Sequence, residues 1–137
     1  MPWAERDDKW PVGWSPIADG ETIEAGDGSL LALHTPGHAP DHLCFWHAES
    51  RTVFGGDLAM KGTTVWIPAR RGSLVAYLAS LERLRAIRRL SRILPGHGDV
   101  MTEPTVVLDA YLAHRRMRER EIVTLLAEEP RSVRRLT

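Results

Sequence analysis

The chain has 137 residues, 43% hydrophobic and 26% charged, which is the length and make-up of one globular domain. Eighteen basic and eighteen acidic side chains cancel, so bulk charge points to neither a nucleic-acid nor a membrane partner, and no apolar run is long enough to cross a bilayer. Cys44 is the single cysteine, which excludes a disulfide framework and a paired-cysteine zinc site and makes the reducing cytoplasm the expected location.

Met1 to Asp8 lacks the basic-then-apolar order of a signal peptide. Residues 1–19 hold Trp3, Trp10 and Trp14 among prolines and acids without a period, and read as irregular chain packed on apolar surface. Glu21–Glu24 and Ser29–His34 read as strands joined by the turn Gly26-Asp27-Gly28. Leu30-Leu31-Ala32-Leu33 is continuously apolar, as in a strand covered on both faces. His42–His47 and Arg51–Phe54 form a second strand pair, with Cys44 as a small buried hydrophobe. Thr63–Ile67 is a shorter, β-branched strand candidate. From Leu74, the stripe Leu78, Leu81, Leu84 and Ile87 predicts a helix capped by Ser73. Arg92–Leu94 reads as a short buried strand. A long helix is expected from Thr102–Pro104 to Ala127, with Val107, Tyr111, Met117, Ile122 and Leu125 as apolar positions.

Three of these strands end in turns that carry metal-ligand side chains. His34-Thr35-Pro36-Gly37-His38-Ala39-Pro40-Asp41-His42 follows the second strand, Gly55-Gly56-Asp57 the fourth, and Pro95-Gly96-His97-Gly98 the last. A strand end fixes the backbone and glycine lets it turn sharply. Imidazole and carboxylate suit zinc and related divalent ions, and such an ion acidifies a bound water enough to supply hydroxide near neutral pH. No serine sits in a Gly-x-Ser-x-Gly elbow. His47 and His114 read as surface or helix-packing residues. The run Arg115-Arg116-Met117-Arg118 with Arg120 suits either phosphate contact or a solvated helix face with Glu119 and Glu121 interleaved.

Taken in order, the three pieces resemble the second half of the metallo-β-lactamase superfamily. His34-Thr-Pro-Gly-His38 looks like its third ligand motif, Gly56-Asp57 like the fourth, and Pro95-Gly-His97-Gly like the fifth. Leu58 to Val65 after Asp57, and His114 to Glu119 in the last helix, resemble the beta-lactamase-like protein 2 branch. The match covers about residues 20–127.

That resemblance implies an α/β fold: the second half of an αββα sandwich, a mixed sheet with helices on its outer face. It implies that residues 1–127 are a partial hydrolase domain and 128–137 the start of a truncated winged-helix-like segment. His38 would be a ligand of one metal and His97 of the other. Asp57 would bridge both and so belong to the catalytic machinery, with two zinc ions, or other divalent metals, in the complete enzyme. His34, Asp41 and His42 would orient the loop through hydrogen bonds. The implied reaction is attack of hydroxide on an ester, thioester or phosphodiester, single-stranded RNA among the substrates. The family's His-x-His-x-Asp-His motif is absent, since no two histidines here are two residues apart. The chain is therefore expected to be a piece of a longer enzyme, completed by the missing N-terminal half or by a homo-oligomer partner. The alternative is a non-catalytic remnant that serves as an interaction or oligomerisation module.

Overall fold

A computed structural model describes residues 15–128; Trp3, Trp10, Trp14 and the segment 129–137 lie outside that range. In chain order the elements are β1 (Thr22–Ala25), β2 (Gly28–His34), β3 (Leu43–His47), β4 (Thr52–Gly56), α1 (Leu74–Arg85), β5 (Arg92–Pro95) and α2 (Pro104–Glu128). The strands form one mixed sheet in sequence order. The first three pairings are antiparallel, and β4 pairs with β5 in parallel. Parallel neighbours need a crossover longer than a hairpin, and the segment carrying α1 supplies it.

Register decides what each face meets. Leu33 pairs with Cys44, Leu31 with Trp46, Trp46 with Val53, and Val53 with Ile93. Side chains on a strand alternate, so these residues share one face. They join a single core with Tyr77, Leu81 and Leu84 of α1 and Leu108, Tyr111 and Leu112 of α2. Both helices therefore cover the same face, and each fully buried side chain there is worth about 1.5–3 kcal/mol.

The opposite face carries Ile23, Leu30, Ala32, Phe45, Phe54 and Leu94. Among the described residues no helix covers it, and Phe54 is 43% exposed. The expectation that Leu30 to Leu33 is covered on both faces holds in part: Leu31 and Leu33 meet the helices, while Leu30 and Ala32 face away from them, Ala32 fully buried and Leu30 half-buried.

Three further differences have physical causes. Thr63–Ile67 is not a strand, because side chains from other elements take up its carbonyls where a neighbouring strand would have. The α1 stripe holds at Leu81 and Leu84, with Leu78 and Ile87 packed against the core, but Leu74 at its start is 39% exposed and Tyr77 is buried instead. Tyr77 is accommodated in the core because its hydroxyl donates to the Leu58 carbonyl at 2.7 Å. Along α2, core packing ends near Arg115, and Met117 and Ile122 lie on the surface. Ser73 caps α1 as expected, its hydroxyl accepting from the Ala76 N–H at 3.2 Å.

Candidate metal centre

The loop after β2 is bonded largely to itself. Thr35 N–H donates to the His42 carbonyl at 2.9 Å, and His34 Nε2 donates to the Pro40 carbonyl at 2.8 Å. Its outer wall is α1. Gly37 has φ +142°, and a Cβ there would fall 2.4 Å from Tyr77 Cα, so only glycine lets the loop lie directly on the helix. His38 emerges from this contact half-buried. Its Nδ1 donates to the Trp66 carbonyl at 2.8 Å, which leaves Nε2 with the lone pair.

Asp57 follows the tight end of β4, where Gly56 has φ +50°. Two backbone bonds hold the turn: Leu58 N–H to the Gly55 carbonyl at 3.1 Å, and Gly96 N–H to the Gly56 carbonyl at 2.7 Å. The second ties the Asp57 turn to the loop that bears His97. That loop is closed at its base by reciprocal bonds of 2.9 Å between Ile93 and Met101. His97 itself is 77% exposed at its side chain.

These three turns converge. His38 Nε2 lies 3.8 Å from Asp57 Oδ2, and His97 Nε2 lies 3.7 Å from Asp57 Oδ1. The carboxylate stands between two imidazoles and offers a different oxygen to each. Both separations exceed a hydrogen bond. Both are shorter than the span of about 4.0–4.3 Å that two zinc–ligand bonds of about 2.0–2.2 Å would cover end to end. A cation touching both atoms of either pair therefore fits. For His38 the bonding also suits a cation, because in the neutral ring the proton on Nδ1 leaves the Nε2 lone pair facing the carboxylate. Among the described residues no group of three or more His, Cys, Asp or Glu side chains gathers about one point.

Behind Asp57 lies a polar network. Asp57 N–H donates to His42 Nε2 at 3.1 Å, so the His42 proton is on Nδ1, which donates to Thr35 Oγ1 at 2.9 Å. Thr35, fully buried, has Cys44 Sγ at 3.2 Å and the Leu33 carbonyl at 3.4 Å as acceptors for its own proton. Burial pushes the His42 pKa down against the opposing pull of Asp57, which favours the neutral ring that this bonding needs. Burial also pushes the Cys44 thiol up to about 11, the behaviour of an inert core residue.

The other expected residues fall outside the centre itself. His34 braces the loop, its N–H donating to Asp19 at 2.7 Å and its carbonyl accepting from Arg83 at 2.9 Å. Asp41 is exposed, electrostatically coupled to His42, and lines a cleft of about 320 Å³ with His38, Trp66 and Arg71. His47 bonds Ser50, and His114 borders an apolar groove between Met60 and α2. Sequence reasoning missed Thr35, Trp66 and Tyr77. Trp66 acts through its main-chain carbonyl, which no side-chain pattern announces.

The profile of the metallo-beta-lactamase superfamily matches residues 1–97. The chain is 36% identical over 113 residues to the beta-lactamase-like protein 2 homolog of Caenorhabditis elegans, covering 82% of this chain and 36% of that protein. It is 37% identical over 116 residues to the thioesterase pkgB of Emericella nidulans, covering 84% of this chain and 32% of that protein. It thus spans about a third of the length of these curated relatives. Among solved structures, a metallo-beta-lactamase family protein of Thermus thermophilus superposes with a TM-score of 0.77 at 26% identity, over 85% of this chain and 40% of that one. TTHA1623 in a di-iron-bound form superposes with a TM-score of 0.60 at 33% identity, over 69% of this chain and 46% of that one.

Proposed function

The chain belongs to the metallo-beta-lactamase superfamily, and from that premise we propose that it is part of a metal-dependent hydrolase of acyl esters or thioesters, working in the cytoplasm. The observation that carries this reading is the Asp57 carboxylate set between His38 and His97, one oxygen toward each. His38 and Asp57 would hold one divalent ion, zinc or iron, and His97 and Asp57 a second. Bound there, the ions would polarise the carbonyl under attack and acidify a water to near neutrality.

The chain's own residues do the positioning. The Trp66 carbonyl keeps the His38 Nε2 lone pair available, and His42 holds the Asp57 backbone, hence the carboxylate between the imidazoles. A zinc site takes four ligands, so each half-site needs donors beyond these three residues, from a longer polypeptide or a second chain.

An acyl substrate is favoured over RNA on two grounds. A relative bears the name thioesterase. The arginine run that suggested phosphate contact is largely engaged by the chain itself: Arg116 with Glu82 and Arg118 with Glu121 at the surface, and Arg115 with the Val65 carbonyl.

The test is thiol release from a panel of acyl thioesters, alongside cleavage of single-stranded RNA, by the longest natural polypeptide carrying this sequence. Thioester turnover should fall at least about 100-fold on chelation or in Asp57→Ala. Full activity of Asp57→Ala would sink the bridging role, and RNA cleavage without thioester cleavage would replace the substrate class.

The open sheet face, with Phe54 43% exposed, favours a second reading as an interaction module. A protein that binds no metal and hydrolyses nothing, yet assembles in solution through this face, would establish it.

A further inference from the structure

Four residues before Arg115 on α2, and so on the same helix face, Tyr111 reaches the segment that follows Asp57. Its hydroxyl accepts from Met60 N–H at 3.0 Å and has the Thr63 and Met60 carbonyls at 2.6 and 2.9 Å. Arg115 turns to the same segment, unlike its neighbours in the arginine run. Its Nη2 donates to the Val65 carbonyl at 2.5 Å, and its guanidinium carbon lies 5.6 Å from the centre of the Tyr77 ring. Its Nε is buried with no protein acceptor. A partly buried cation with one buried donor unsatisfied is costly, so its presence asks for a role beyond packing.

The role lies one residue further on. The Val65 carbonyl belongs to the planar peptide that joins Val65 to Trp66. With that plane held, only the two backbone dihedrals of Trp66 separate it from the carbonyl that accepts from His38 Nδ1. The Trp66 side chain is 73% exposed and anchors little. No strand pairs with this segment. Its carbonyl directions are set by Tyr111, Arg115 and the buried Val65 side chain.

We propose that Arg115 is a positioning residue for His38: by clamping the Val65–Trp66 peptide it aims the Trp66 carbonyl at Nδ1 and so turns Nε2 toward Asp57. The inference rests on the reading of His38 as a metal ligand, but its test does not require metal.

The experiment is long-range proton–nitrogen NMR of the imidazoles in the metal-free 137-residue chain, recorded at alkaline pH where the rings are neutral. Wild type should show His38 as a single tautomer with the proton on Nδ1. In Arg115→Met, which fills the same stem volume, His38 should become a mixture of tautomers while the amide spectrum keeps the native dispersion. Arg115→Lys should lie between the two. Wild-type His38 nitrogen shifts in a folded Arg115→Met chain would overturn the proposal. Should that variant fail to fold, Arg115→Lys carries the test, and wild-type shifts there overturn it. Zinc titration of the longest natural polypeptide carrying this sequence should show about 10–100-fold weaker binding in Arg115→Met. A changed tautomer together with no zinc uptake by that longer polypeptide would leave the role of Arg115 standing and remove the metal reading.

Discussion

Gly37→Ala probes how the candidate centre is mounted on the fold. The added Cβ would lie 2.4 Å from both Tyr77 Cα and Cβ and 2.6 Å from Tyr77 N. Two of these three atoms are helix backbone and cannot rotate away. The backbone at φ +142° adds strain of about 1–3 kcal/mol for a residue with a side chain, and overpacking adds about 1–3 kcal/mol. The expected loss is about 2–6 kcal/mol out of a total of about 5–15. With a urea m-value of about 2 kcal/mol/M, the midpoint should fall by about 1–3 M. Gly62→Ala is the matched control. Gly62 has φ +75° with nothing within 4 Å, so it reports backbone strain alone, about 1–2 kcal/mol. In Gly37→Ala the displaced loop should also lose the His38 bond to the Trp66 carbonyl, visible in the imidazole nitrogen spectrum. Equal losses in the two variants would refute the argument that the loop is seated on α1 by direct backbone contact.

His42→Phe keeps a ring of similar size but strands the Asp57 N–H without its acceptor. Urea unfolding should show a loss of about 1–3 kcal/mol, and wild-type stability would mean that the N–H finds another partner. Cys44 should resist thiol reagents at pH 8 in the folded chain and react at once in denaturant, as a thiol shielded by burial. Because its folded pKa is raised from 9.0 to about 11, its contribution to stability is complete below pH 9 and is lost as the pH rises through that interval. Thermal melts of wild type and Cys44→Ala should converge over that range, and parallel curves would contradict it.

Strand and helix positions were legible because local chemistry set them. Gly26 and Gly28 punctuate the first hairpin, Ser73 caps α1, and Pro104 opens α2. The candidate site was equally legible, since His38, Asp57 and His97 each sit on a glycine-bearing turn at a strand end. Hidden were the features whose cause lies far along the chain. Thr63–Ile67 has strand-like residues, yet tertiary bonds from α2 and His38 outweigh that propensity. Tyr77 joins the leucine stripe in the core, where Leu58, 19 residues earlier, offers its hydroxyl an acceptor. Arg115 lies in a run that reads as solvent-facing, and only the fold reveals the carbonyl it meets 50 residues away.

The two imidazoles differ in how their placement is encoded. Reciprocal bonds between Ile93 and Met101 close the loop that presents His97, so a contiguous stretch of chain holds much of the instruction for that ligand, with one distant tie from the Gly96 N–H to the Gly56 carbonyl. His38 depends on Trp66, 28 residues on, and on Tyr77, 39 residues on. Substitutions that erode the centre from a distance should therefore accumulate on the His38 side. The His97 loop is the portable half: a segment that tolerates change around it and that, lifted into another strand end, would carry its ligand along.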